Sequence, residues 1–310
     1  MLEQGKTFQN VYKIIKKFEP KQTGAFGENY LAEKTDLFNE QVVIKRFAPL
    51  NPNPATLKDA QRLFNNEAKM LHELGKNHDQ IPRLIAYIED EREFYIIQEY
   101  IEGNDLSHEL EEKWNEDKII ELLLDLLPVL EFVHAKGAIH RDIKPANLIR
   151  RNRDNKIVLI DFGAVKIVNR PDLENQAGVD LTTQTIVVGT LPYMPLEQLH
   201  GRPCFCSDIY ALGVTAIQFL TGQLLLNLKE QEIEDIQEYL QSAGVSEKLA
   251  SILSKMVEEN WRNRFQSAPE VLKEFNKIQL PYFVFTPSPE HTPRLLPLDN
   301  WRGKLTRNRT

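Results

Sequence analysis

A chain of 310 residues, 42% of them hydrophobic, can bury a sizeable core and exceeds the usual size of one small domain, which favours one large two-lobed unit or two domains. Its 45 acidic residues outnumber its 38 basic ones, and the formal charge of -7 argues against broad binding to a nucleic-acid backbone. Cys204 and Cys206 are too few and too close for a disulfide framework, and the seven histidines show no zinc-ligand spacing. The two cysteines read as small buried thiols. The opening stretch MLEQGKTFQNVYKIIKKF lacks the apolar core of a secretion signal, and no run reaches the roughly 18 apolar residues of a membrane span, so the expectation is a soluble, cytoplasmic protein.

From residue 10 to 105, β-branched and aromatic runs (VYKII, QVVIKRF, EFYIIQEYI) alternate with polar turns, which predicts an antiparallel sheet. One segment there has helical spacing, with Leu63, Phe64, Glu67, Met70, Leu71 and Leu74 on its repeat. Beyond residue 106 the pattern turns helical. KIIELLLDLLPVLEFVH is apolar almost all round and reads as a buried helix with a kink at Pro128. KIVLIDFG is a short apolar run ending in Asp-Phe-Gly, SDIYALGVTAIQFLTG is a second apolar helix closed by Gly222, and IEDIQEYLQSAGVSEKLASILSKMV adds amphipathic helices. From about residue 278 a proline-rich, basic tail begins, with Trp301 as a possible anchor; from Pro287 onward it carries five Lys or Arg against two acids.

The stretch IHRDIKPANLI, residues 139 to 149, sets Asp142, Lys144 and Asn147 in a short polar loop between apolar segments, where three polar groups can be aimed at one spot. Phosphoryl transfer needs such a spot: an acid to take the hydroxyl proton, a cation beside the moving phosphoryl, and an amide oxygen for a metal ion. The order HRDxxxxN is the catalytic-loop signature of protein kinases.

With that loop the chain resembles the bacterial Ser/Thr protein kinases, and is similar to those abundant in cyanobacteria, over residues 10 to 277. The resemblance implies an α+β, two-lobed fold: an antiparallel small lobe with one helix (10 to 100) and a mainly helical large lobe (101 to 277), followed by the tail 278 to 310. It also implies transfer of the γ-phosphoryl of ATP to a protein Ser or Thr hydroxyl, with Mg2+. Position by position, Lys45 in VVIK resembles the lysine on the α and β phosphates and Glu67 its helix partner. Asp142 resembles the catalytic base, Lys144 the phosphate-contacting lysine, and Asn147 and Asp161 the metal ligands. Phe162 would pack between the lobes. Backbone groups of Glu99 and Ile101 would hold adenine, Gln98 would gate the pocket behind it, and Asp105 would reach the ribose. Gly24 and Gly27 resemble the second and third glycines of the nucleotide loop. Lys144 and Thr190 are Ser/Thr-type marks, Glu197 and Arg264 resemble the ion pair ending the activation segment, and Asp208 resembles the residue that fixes the catalytic-loop backbone. Thr182, Thr183 and Thr185 would lie in an activation loop, where a phosphate would pair with Arg141.

Two places depart from the family pattern. Gln22 stands where the first glycine belongs and Asn29 where a valine packs on adenine, which weakens or reshapes the phosphate cradle. Leu191 and Pro192 in GTLPYMPLEQ reshape the floor under the residue after the target hydroxyl. Two rival readings stand beside the kinase: an ATP-binding scaffold without catalysis, against which Lys45, Glu67, Asp142, Asn147 and Asp161 count, and a small-molecule phosphotransferase, which the GT to PLE segment and Arg264 disfavour.

Overall fold

The structure is a computed structural model that describes residues 2–19, 27–47, 54–90, 93–167, 189–231, 233 and 235–277. Gln22, Gly24, Thr182, Thr183, Thr185 and the tail with Trp301 lie outside the described residues.

The small lobe is a six-stranded antiparallel sheet of β1 (Thr7–Phe8), β2 (Tyr12–Lys17), β3 (Gly27–Lys34), β4 (Glu40–Phe47), β5 (Leu84–Asp90) and β6 (Glu93–Glu99), in the order β1-β2-β3-β4-β6-β5. Strands β3 and β5 lie where the sequence shows no β-branched run; LIAYIED pairs because β6 offers it an edge, not because its own pattern demands a strand. Alternation along β4 sorts the sheet into two faces. Val42 and Ile44 point to a core shared with Tyr12, Ile14, Tyr30, Ala32, Tyr95 and Ile97. Val43 and Lys45 point the other way; Leu31 and Asn29 oppose them on β3, as do Gln98 and Ile96 on β6. Phe47 and Phe94 extend this second face, and Phe64 of helix α1 (Pro54–Leu74) packs on Phe47 with ring centroids 5.4 Å apart. Glu67 follows Phe64 by three residues, so it shares the inward side of α1 and looks at the same sheet face.

The large lobe is built on α2 (Glu116–Ala135), α3 (Leu196–Leu199), α4 (Phe205–Thr221), α5 (Leu225–Glu230), α6 (Ile236–Ser242), α7 (Glu247–Met256) and α8 (Ala268–Phe275). Asn115 caps α2 by accepting from the Lys118 N–H at 3.0 Å, and Glu116 and Asp117 suit the positive end of its dipole. The helix runs unbroken through Pro128, where the sequence predicts a kink. Helix α4 is almost wholly buried and ends at Gly222, whose φ of +73° admits glycine without strain. Short strands carry the loops that matter: β7 (Gly103–Asp105), β9 (Leu148–Arg151) and β10 (Ile157–Leu159) form one sheet, and β8 (Ala138–Ile139) pairs with β11 (Lys166–Ile167). No helix among the described residues is long and apolar enough to cross a membrane.

Candidate active site

Lys45 lies at the centre of the cleft between the lobes. Its Nζ meets Glu67 Oε1 on one side and Asp161 Oδ1 at 3.0 Å on the other, so residues 22 and 116 positions away converge on one ammonium. Burial disfavours that charge, but the two carboxylates outweigh it and hold the lysine above its ordinary pKa. Burial would likewise raise the Asp161 carboxyl; the adjacent Lys45 charge and hydrogen bond hold it well below the usual range instead. Glu67 is 4% exposed, and burial raises its carboxyl against the pull of Lys45. Asp161 itself has φ of +68°, a strained left-handed conformation for a non-glycine residue. The next residue, Phe162, is fully buried with its ring edge-on to His140 at 4.9 Å.

Below this, the catalytic-loop candidates form a second knot. Asp142 Oδ1 accepts from Thr190 Oγ1 at 2.7 Å, and Oδ2 accepts from Asn147 Nδ2 at 2.9 Å and meets Lys144 Nζ at 2.9 Å. Lys144 also donates to Thr190 Oγ1 at 2.6 Å. Asn147 spends its amide N–H groups on the Asp142 carboxylate and carbonyl, which leaves Oδ1 as an acceptor. The Ile160 N–H donates to Asn147 O at 3.0 Å, tying the segment between β10 and Asp161 to this loop.

The loop is held from beneath by Asp208 at the start of α4. Its carboxylate is fully buried and accepts from the His140 N–H at 2.9 Å, the Arg141 N–H at 2.8 Å and His134 Nε2 at 2.8 Å. Burial pushes the Asp208 carboxyl up, but these donors bring it below the ordinary value. Arg141, at φ +69°, is 7% exposed and gives its Nε to the Ala164 carbonyl. Its guanidinium is pulled down to about 10 by burial.

At the cleft's inner wall, Glu99 ends β6 and Ile101 is 5% exposed; neither the N–H nor the C=O of Ile101 meets another backbone group among the described residues. Gln98 shares the sheet face of Lys45, is 5% exposed, and its Oε1 has no hydrogen-bond partner among the described residues. Gly27 opens β3 so close to β4 that a Cβ would sit 2.3 Å from the Arg46 carbonyl, so its glycine character serves strand packing. Asn29 lies opposite Lys45 on the cleft face. Asp105 caps the turn after β7, accepting from the Ser107 N–H at 3.1 Å and from the Ser107 hydroxyl.

Glu197 of α3 and Arg264 form a buried ion pair at 2.7 Å. Arg264 further donates to the carbonyls of Cys206 at 3.0 Å and Glu258 at 2.8 Å. Cys204 and Cys206 are joined by a disulfide, which corrects the expectation of free thiols: the first turn of α4 brings their Cα atoms to 5.2 Å, a spacing a disulfide spans.

His134 and Gln198 escaped the sequence reading. Gln198 Nε2 donates to the Arg141 carbonyl at 2.7 Å, beside Gly189, where φ is +127° and a Cβ would lie 2.6 Å from that same carbonyl. Adjacency to Glu197 is the available signal for Gln198, and the last turn of an apolar helix that for His134.

The chain matches the Protein kinase domain family over residues 22–275. It is 40% identical over 268 residues to serine/threonine-protein kinase PknA of Nostoc sp., covering 85% of this chain and 46% of that protein. Against serine/threonine-protein kinase C of Synechocystis sp. it is 41% identical over 267 residues, covering 85% and 49%. The chain thus spans about half the length of these curated relatives. A solved structure titled PpkA-294 apo form superposes with a TM-score of 0.69 at 21% identity, covering 88% of this chain and 99% of that one, which supports the fold. A two-lobed fold whose cleft gathers Lys45, Glu67 and Asp161, with a family match across most of its length, makes this chain a member of the protein kinase domain family.

Proposed function

We propose that the chain is an ATP-dependent protein serine/threonine kinase acting on a protein hydroxyl in the cytoplasm, with residues 10 to 277 as the kinase domain and 278 to 310 as an appended segment. The observation that carries this reading is the convergence of Glu67 and Asp161 on Lys45 directly above the Asp142 loop.

The cleft suits a purine nucleotide. Gln98 Oε1, buried and without a hydrogen-bond partner among the described residues, can meet a base edge together with the Glu99 carbonyl and the backbone groups of Ile101, and Lys45 supplies positive charge for the α and β phosphates, for which Gly24 and Gly27 are the candidate glycines. Asp105 stands at the ribose end of the hinge. The hard oxygens of Asp161 and Asn147 fit Mg2+, which would screen phosphate charge when bound. Asp142 takes the proton from the substrate Ser or Thr oxygen as that oxygen bonds to the γ-phosphorus and the bond to the β-phosphate bridging oxygen breaks. Lys144 offsets charge on the transferred group. Thr190 and Asn147 hold both Asp142 oxygens, so the acceptor is oriented before substrate arrives. Autophosphorylation at Thr182, Thr183 or Thr185 belongs to the same proposal.

The test compares wild type with Asp142→Asn for transfer from labelled ATP to a generic protein, alongside a thermal-shift titration with ATP and Mg2+. Loss of the base lowers the rate by about 10²- to 10⁴-fold with the nucleotide shift retained. An unchanged rate in the variant overturns the role of Asp142, and a wild type that binds ATP but transfers nothing favours the scaffold reading.

A further inference from the structure

We propose that Cys204 and Cys206 are a reversible thiol–disulfide site, oxidised and reduced by a small-molecule or protein dithiol, and that its state sets how firmly the activation-segment end and the catalytic loop are held. The sulfur chemistry stands without any kinase activity; only the effect on transfer rests on the function proposed above.

The bond closes a loop of only three residues. Such a short loop constrains the unfolded chain little, so the pair is poorly suited to act as a folding staple. In an ATP-containing compartment kept reducing by thiols, disulfides that do form are mostly transient or redox-sensing. The two sulfurs are also unequal. Cys206 is 1% exposed, whereas Cys204 is half-buried and is the N-cap residue of α4. An incoming thiolate therefore reaches the Cys204 sulfur, and Cys206 is the leaving thiolate. When reduced, Cys204 sits at the positive end of a 17-residue helix, an environment that favours its thiolate and so its re-oxidation.

The exchange balances as follows. The dithiol's first thiolate bonds to Cys204 Sγ and the Cys204–Cys206 bond breaks; the dithiol's second thiolate then attacks its own bound sulfur and releases Cys204. Two electrons pass to the protein, Cys204 and Cys206 end as thiols, and the dithiol ends as a disulfide.

What makes this a control point is its place in the hydrogen-bond network. The Cys204 N–H donates to Ser207 Oγ at 3.1 Å, Ser207 Oγ donates to Glu197 Oε1 at 2.8 Å, and Arg264 Nη1 bridges Glu197 Oε1 at 2.7 Å to the Cys206 carbonyl at 3.0 Å. The disulfide thus closes a ring through the ion pair that anchors the activation-segment end. Two residues after Cys206, Asp208 carries the His140 and Arg141 amides next to Asp142. Reduction removes the sulfur cross-brace of this ring and leaves the Cys204–Phe205–Cys206 backbone and the hydrogen bonds to hold it. Glu197 Oε, Cys204 Sγ and Cys206 Sγ lie within 4.8 Å of one another, yet a metal reading competes poorly because the sulfurs are spent on each other and Glu197 on Arg264 and Ser207.

The full chain, equilibrated in graded ratios of reduced to oxidised dithiothreitol, is quenched with an alkylating agent and weighed intact. Because it contains only two cysteines, the mass reads the site directly. The expected result is a graded, reversible exchange between a doubly alkylated and an unalkylated species without unfolding. Alkylation of both cysteines at every ratio, or a bond that resists excess native reductant, overturns the proposal. In parallel, transfer by wild type falls at least about fivefold on reduction, while a Cys204→Ser/Cys206→Ser double variant, its folding checked by its melting temperature, ignores the ratio. Equal wild-type activity in both states overturns the control role. Absence of transfer in both states, with the sulfur exchange intact, counts against the kinase reading and not against the site.

Discussion

Gln98 shows how one side chain can be suited to a ligand at the expense of the free protein. A buried amide oxygen without a partner costs about 1–3 kcal/mol, and among the described residues Gln98 Oε1 is in that position on the face that also carries Lys45. In the proposed nucleotide site, an adenine amino group would have one hydrogen for backbone and a second for this oxygen. Gln98→Leu is expected to raise the melting temperature of the nucleotide-free protein while raising KM for ATP roughly 2- to 12-fold, the worth of one neutral hydrogen bond. KM for purine riboside triphosphate, which lacks the amino group, stays unchanged. Parallel losses for both nucleotides in steady-state kinetics would remove Gln98 from base recognition. Arg141 makes the complementary point: its position predicts a phosphate partner, but its Nε is already given to the Ala164 carbonyl, so a loop phosphate would have to use the remaining guanidinium nitrogens.

Strands β3 and β4 are locked by charge as well as by their ladder. Glu28 accepts from Lys17 at 2.6 Å, from Tyr30 at 2.6 Å and from Arg46 at 3.0 Å. Burial would raise its carboxyl, but these three donors outweigh it and bring the pKa from 4.5 down to about 2. A carboxyl lowered on folding contributes stability that is complete above its unfolded value and is lost as protons bind. The small lobe is therefore expected to lose stability as pH falls from about 4.5 towards 2, and Glu28→Gln should flatten that part of a melting-temperature profile. A variant curve parallel to wild type across this window would show that the cluster contributes nothing. The hydroxyl of Tyr30, one of these donors, is pushed up to about 12 by burial and by the Glu28 carboxylate it bonds.

Across the whole molecule, the Glu197–Arg264 pair joins the short helix α3 to the last third of the large lobe. Both side chains are buried, and the guanidinium also satisfies two carbonyls and lies 4.8 Å from the Tyr210 ring centroid. Removing one partner strands the other charge. Arg264→Leu is expected to destabilise the fold by about 3–5 kcal/mol in chemical denaturation, and adding Glu197→Gln should recover part of that loss. No recovery in the double variant would mean that the carbonyl contacts of Arg264, and not its ion pair, carry the effect.

Sequence alone determined an antiparallel sheet with one helix followed by a helical lobe, because periodicity is a local property that reading along a chain can recover; the catalytic-loop signature and the family resemblance it supports implied the two-lobed fold and marked Lys45, Glu67, Asp142, Asn147 and Asp161 as candidates. The start of α1 at Pro54, strands β3 and β5, the bonds of His134 to Asp208 and of Gln198 to the Arg141 carbonyl, the Gln98 oxygen without a partner among the described residues and the Cys204–Cys206 bond were decided only in three dimensions. Each depends on which distant group arrives opposite a side chain. A polar strand pairs when a neighbour offers its edge, a buried amide is satisfied or stranded by what faces it, and two thiols bond when a helix's first turn sets their Cα atoms 5.2 Å apart.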